Sequence, residues 1–207
     1  MQEFATDENR VIATAVAAVV GVGTLVFIWR AYRRRRARMT LHTAITVAGF
    51  EHLRDVLVPD GMGGAMHVDY MLLTSRGVLV IDLRDVSGNI FGGDQMTEWT
   101  VMDGAERSTF QNPQAALYDR VAAVKLLAGE LPVEGRVLFT RRGRFPKGLP
   151  RWTMMVDSLR TEFPPADGHA FESWLTRYRE FWENIRVAVS PSPLKKKHSF
   201  LAEVFVE

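Results

Sequence analysis

Two aspartates stand in this chain where a buried strand would carry none. They fall in His67-Val68-Asp69-Tyr70-Met71-Leu72-Leu73 and in Val78-Leu79-Val80-Ile81-Asp82-Leu83-Arg84. Between the two apolar runs lies Thr74-Ser75-Arg76-Gly77, a short polar turn, so the pair reads as a β-hairpin. Asp69 is near the start of the first run and Asp82 near the end of the second. Antiparallel pairing therefore brings the two carboxylates together at the open end, opposite the turn. Arg84 follows Asp82 by two, and the strand's period of two puts both on one face. Buried carboxylates are costly unless paired or metal-bound. Two readings follow: a divalent-cation site with a built-in positive group, or a structural ion pair with Arg84. His67 precedes Asp69 by two and shares its face, so it fits an extra polar group at the site. A surface histidine is its plainer reading.

The order of these residues resembles the PD-(D/E)xK nuclease superfamily: a lone Asp, a hairpin, then an acid, any residue and Lys. Here that last part is Asp82-Leu83-Arg84, with Arg where the family has Lys. The surroundings are similar to the nuclease-related domain (NERD) branch. That branch follows the motif strand with G-x-I-x-G, a Trp, and an N-P that opens a helix. The chain has Gly88-Asn89-Ile90-Phe91-Gly92, Trp99 and Asn112-Pro113. The resemblance runs from about Ala48 to about Thr140. It implies a restriction-endonuclease-like α/β fold, a mixed sheet flanked by helices, and phosphodiester hydrolysis on DNA or RNA. It implies catalytic roles for Asp69, Asp82 and Arg84, and for Glu51 as an upstream helix acid. It implies Mg²⁺ held by Asp69, Asp82 and the Leu83 carbonyl, an all-oxygen set that leaves water positions open. Arg84 can supply charge to the reacting phosphate but cannot deprotonate water, because its pKa lies above 12. In the family an N-P-x-x-Q is common. The last place of that pattern holds Ala116 here, and Gln114 sits two positions earlier.

The elements that must position these groups follow from periodicity. Gly49 to Leu57 predicts a helix, with Phe50, Leu53 and Leu57 on one stripe and Glu51 off it. Pro59-Asp60-Gly61-Met62-Gly63-Gly64 is a loop, and no Gly-Lys-Ser/Thr follows it to make a phosphate loop. After the hairpin come short strands at Ile90-Phe91 and Thr97 to Met102, with a tight turn at Met102-Asp103-Gly104-Ala105. Asn112 and Pro113 suit an N-cap and first helical position. That helix presents Ala116, Leu117, Val121, Val124, Leu127 and Ala128 on one face and stops at Gly129. Gly135 to Thr140 and Thr153 to Val156 read as strands, and Asp167-Gly168 opens a last helix to about Val187. Its stripe is Phe171, Trp174, Leu175, Tyr178 and Trp182, an apolar face that belongs in a core. Ser190-Pro191-Ser192-Pro193 reads as an extended linker.

The chain has 207 residues, no cysteine and a formal net charge of +2. Without cysteine there are no disulfides or thiolate metal sites. The charge is uneven. Arg30, Arg33, Arg34, Arg35, Arg36 and Arg38 form one run, while Met39 onward holds 19 Lys+Arg against 21 Asp+Glu. The pI therefore does not argue for nucleic-acid binding. One local patch differs. Arg136 to Arg151 carries six cations and no acid, with Phe145 inside it and Trp152 beyond. Arg141, Arg142, Arg144 and Lys147 could meet phosphates there. A solvated loop at a strand end explains them equally well.

Val11 to Trp29 is a run of 19 uncharged residues. As a helix at ~1.5 Å per residue it spans roughly 28 Å, close to the ~30 Å hydrocarbon core. The arginines follow the run and no small-x-small cleavage site comes next, so a membrane anchor fits better than a signal peptide. Those arginines place the C-terminal side in the cytoplasm, and Arg33 to Arg38 suit anionic lipid. The expected organisation is a polar start (1–10), a transmembrane helix (11–29), a basic linker (30–47), a NERD-like domain (48–188) and a flexible tail (189–207). The alternative to a nuclease is a non-catalytic, membrane-tethered module that binds nucleic acid or a protein partner.

Overall fold

The computed structural model describes residues 21–33, 40–164 and 168–193. Two compact units divide at Thr43 and Ala44. In the first unit, residues 21–33 are helical. Val22, Leu25, Phe27, Ile28, Trp29 and Tyr32 are exposed on it, and the Arg33 guanidinium lies 4.6 Å from the Trp29 ring. Among the described residues no helix is long and apolar enough to cross a membrane. Residues 11–20 of the expected span lie outside the described set, as do 34–39 of the basic linker.

The second unit is a mixed α/β fold. Its main sheet has six strands, in the order β10 (Ser190–Pro191), β1, β2, β3, β7 and β9. β1 (Glu51–Pro59), β2 (Ala65–Thr74) and β3 (Gly77–Arg84) form an antiparallel meander, and β7 (Val133–Phe139) joins β3 in parallel. β9 (Thr153–Met155) extends the sheet on that side. A second sheet, β6-β5-β4-β8, contains β4 (Gly88–Phe91), β5 (Glu98–Asp103), β6 (Glu106–Gln111) and β8 (Gly143–Arg144). Helix α1 (Pro113–Ala128) leads from the second sheet back to β7. A short helix, α2 (Leu159–Glu162), follows β9, and α3 (Gly168–Ala188) follows that.

One buried cluster ties these layers together. It joins Met71, Leu73, Val78 and Val80 of the hairpin to Leu117 and Val124 of α1, Trp182 and Ile185 of α3, and Ile90, Trp99 and Phe110 of the second sheet. The α1 stripe read from spacing matches: Leu117, Val124 and Ala128 are buried, and Val121 and Leu127 pack against the cluster. On α3, Trp174, Leu175, Tyr178 and Trp182 take the expected inward role; the Phe171 side chain lies outside the described set. The G-x-I-x-G stretch has a steric cause. Gly88 has φ +104, and a Cβ there would press on the Met102 carbonyl; a Cβ on Gly92 would overlap the Trp99 indole.

Two expectations are corrected, and one strand is added. The segment from Gly49 to Leu57 is not a helix but β1, paired with β2 through Glu51↔Leu73 and Arg54↔Tyr70. Its apolar spacing misleads because β1 carries apolar residues at alternate positions on both faces, Leu53 and Leu57 on one and Val56 and Val58 on the other, which hides the period of two; Asp55 adopts φ +49 without interrupting the register. Strand β6 was not anticipated: of its six residues only Phe110 is buried. The segment at 190–193 is not a free linker. Ser190 and Pro191 form β10 against β1, and Ser192 N donates to the Asp55 carbonyl at 2.7 Å. Residues 194–207 of the expected tail lie outside the described set.

Candidate functional site at the open end of the hairpin

The β2–β3 register pairs Tyr70 with Ile81 and Thr74 with Gly77. Continued by one step it sets Asp69 opposite Asp82, on the same face, because directly opposed antiparallel residues share a face. Both are buried, at 2% and 1% exposure. Asp69 Oδ2 accepts from Leu83 N at 2.9 Å. Thus Leu83 meets Asp69 through its amide. Asp69 Oδ1 lies 3.1 Å from His67 Nε2.

Asp82 is held by guanidinium groups. Its Oδ2 accepts from Arg84 at 2.9 Å and from Arg120 of α1 at 3.4 Å. Arg120 Nε also donates to the His67 carbonyl at 2.7 Å. Arg120 thereby ties α1 to both strands where the carboxylates meet. It falls on the apolar stripe of its helix, three residues after Leu117 and four before Val124, and a lone charge on that inward face was the signal available in the sequence. Which partner it meets depends on how the helix crosses the sheet.

Glu51 is not brought to this end. It pairs with Leu73, four strand positions from Asp69, or about 13 Å at ~3.3 Å per residue. Its Oε2 accepts from Trp182 Nε1 at 2.8 Å and lies 3.8 Å from Arg186. It is a partner of α3 here.

Asp55, His67 and Asp69 offer three ligand atoms that all lie within 4.8 Å of one another. This is the metal-competent group found among the described residues. It shares Asp69 with the acid pair but reaches toward β1, away from Asp82. Burial raises the pKa of neighbouring Tyr70, opposed by Arg54 and reinforced by Asp55 and Asp69.

The basic loop begins beside the site. Thr140 N donates to the Arg84 carbonyl at 3.1 Å, and Thr140 Oγ1 to Asp85 at 2.7 Å. Two of its four cations have acid partners: Arg141 pairs with Asp157 at 2.6 Å and Arg142 with Asp85 at 3.2 Å. Both guanidiniums stay largely exposed. Arg144 is exposed, and Lys147 Nζ sits 5.9 Å from the Phe91 ring.

Asn112 acts as the predicted cap. Its Oδ1 accepts from Gln114 N at 3.0 Å, and its Nδ2 donates to the Met96 carbonyl at 2.8 Å. Gln114 has a polar role despite its shifted position. It is buried, and its Nε2 donates to Asp94 at 2.9 Å and to the Arg151 carbonyl. These residues line a cleft of about 410 Å³ with Tyr118, Asp119 and Trp152. Hydrogen bonds from Gln114 and from Arg151 N hold the Asp94 carboxyl below the usual carboxylate value.

The nuclease-related domain family matches residues 33–140. That is over half of the chain, so the protein belongs to this family. An uncharacterized protein of Bacillus anthracis is 28% identical over 81 residues, covering 39% of this chain and 38% of that protein. This chain therefore spans well under half the length of that relative. No solved structure matches.

Proposed function

We propose that this protein is a membrane-anchored nuclease whose domain hydrolyses phosphodiester bonds with a divalent cation. The observation that carries this reading is the buried pair Asp69 and Asp82, set side by side by the hairpin register. An oxygen-rich, anionic pair of this kind fits a hard cation such as Mg²⁺. Asp69 and Asp82, with the Leu83 carbonyl, would hold it; when bound, it would activate water and neutralise phosphate charge. Arg84 and Arg120, now on Asp82, are the groups that can turn to an incoming phosphate. Guanidinium groups recognise phosphate and carboxylate oxygens in the same forked geometry. The adjoining loop with Arg141, Arg142, Arg144 and Lys147 extends the positive surface toward a nucleic-acid backbone. Glu51 takes no part.

Residues 11–29 would anchor the chain, with the domain in the cytoplasm and Arg33 to Arg38 on anionic lipid. The exposed apolar side chains of the helix at 21–33 support this reading. A C-terminal reporter active only outside the cytoplasm would overturn the topology.

The second reading, a tethered non-catalytic binding module, is favoured by one observation. Asp82 already has two guanidinium partners, so its charge is balanced by protein alone. The test is cleavage. Full chain in detergent, given Mn²⁺ and a panel of single- and double-stranded DNA and RNA, should cut at least one substrate, and Asp69→Asn should not. Binding without cleavage across the panel would leave the tethered module.

A further inference from the structure

We propose that Asp55, His67 and Asp69 form a Zn²⁺-class metal site that shares Asp69 with the Asp69–Asp82 pair but faces β1, with Ser192, just past β10, holding the imidazole from its far side. The donor set is the first argument. His67 Nε2 lies 3.1 Å from Asp69 Oδ1 and 3.9 Å from Asp55 Oδ1. Ligands around a tetrahedral ion with bonds of ~2.0–2.1 Å stand roughly 3.3 Å apart. Small side-chain movements close the difference. Three protein ligands then leave a fourth position for water. An imidazole nitrogen among the donors favours Zn²⁺ or Co²⁺ over Mg²⁺, which selects all-oxygen sets.

Charge is the second argument. Asp55 lies beside Asp69 across neighbouring strands, between the pairs Arg54↔Tyr70 and Val56↔Val68. Like charges so placed repel; Arg54 offsets Asp55 only from its Oδ2 side, at 3.0 Å, and Asp69 is 2% exposed. A cation between the two carboxylates removes that repulsion.

The far side of the imidazole is the third. His67 Nδ1 is 2.9 Å from Ser192 Oγ, and the His67 side chain is 10% exposed. A hydroxyl can donate or accept. With Nε2–H directed at Asp69, the serine donates to Nδ1. With a metal on Nε2, Nδ1–H donates to the serine. Ligating histidines are usually fixed by such a partner. This one arrives with β10, which makes the C-terminal segment part of the site.

The inference does not depend on cleavage. The experiment titrates Co²⁺ and Zn²⁺ into the chelator-stripped full chain, reading the Co²⁺ visible bands and Zn²⁺ calorimetry. One equivalent should bind, with Zn²⁺ much tighter than Mg²⁺. His67→Gln and Asp55→Asn should each abolish the bands. Ser192→Ala, which leaves all three ligands in place, should weaken binding roughly 10-fold or more. Metal-free melting curves of parent and variants should coincide within a few degrees, so that a folding failure is visible. The proposal is overturned by no Co²⁺ or Zn²⁺ binding, or by binding unchanged in both His67→Gln and Ser192→Ala. Mg²⁺-dependent cleavage without Zn²⁺ binding would reject this site and keep the nuclease; Zn²⁺ binding without cleavage would do the reverse.

Discussion

Arg84 lies 2.9 Å from Asp82 Oδ2, two residues along the same strand, and shares that oxygen with Arg120 from the covering helix. Asp82 is 1% exposed, against 18% and 15% for the two guanidiniums. Removing one arginine leaves the other in place, so Arg84→Met or Arg120→Met alone should cost less than the pair together. The double variant strands a buried carboxylate, at about 3–5 kcal/mol. Urea denaturation of the three variants measures this; strictly additive small losses would contradict a shared role.

Glu51 supplies a contrast. Glu51→Gln keeps an acceptor for Trp182 and should be nearly neutral. Glu51→Ala leaves the buried indole N–H unsatisfied and should cost about 1–3 kcal/mol. Neither variant should alter divalent-cation affinity, because Glu51 sits at the turn end of the hairpin. A lost cation response in Glu51→Gln would show that the acid reaches the site after all.

What could be read from the sequence divides along local and non-local lines. The hairpin, the Asn112 cap, the α1 stripe and the convergence of Asp69 with Asp82 follow from period and turn chemistry, and the structure has them. Strand β1 does not announce itself, because Leu53 and Leu57 on one face and Val56 and Val58 on the other hide its alternation. Arg120 and Ser192 come from 38 and 125 residues away from their partners Asp82 and His67. Only the crossing of α1 over the sheet, and the return of the chain to β1 as an edge strand, bring them in.

Acid stability should carry the mark of Asp94. Gln114 and Arg151 N depress its carboxyl below its ordinary value in the fold. A depressed folded value contributes stability that is fully present above the unfolded value and lost as pH falls through the folded one. Asp94→Asn should therefore be less stable than the parent at about pH 6, with the gap closing toward about pH 2. Thermal melts across that range decide it, and a gap that does not change with pH would contradict the account.

The basic loop should act through charge. Replacing Arg141, Arg142, Arg144 and Lys147 with Ala should weaken nucleic-acid binding and flatten its salt dependence, since each phosphate contact releases counterion. Arg144→Ala with Lys147→Ala should account for most of the loss, because Arg141 and Arg142 also have acid partners. Binding with an unchanged salt slope would make the loop a solvated connector.

In the proposed nuclease, Asp69 and Asp82 form a cation-handling pair and not only an internal ion pair. Thermal unfolding of the full chain, with and without Mg²⁺ or Mn²⁺, separates the two. The midpoint should rise with either ion in the parent and stay fixed in Asp69→Asn and Asp82→Asn. A parent indifferent to both ions, destabilised by Asp82→Asn with no metal response to lose, would contradict it.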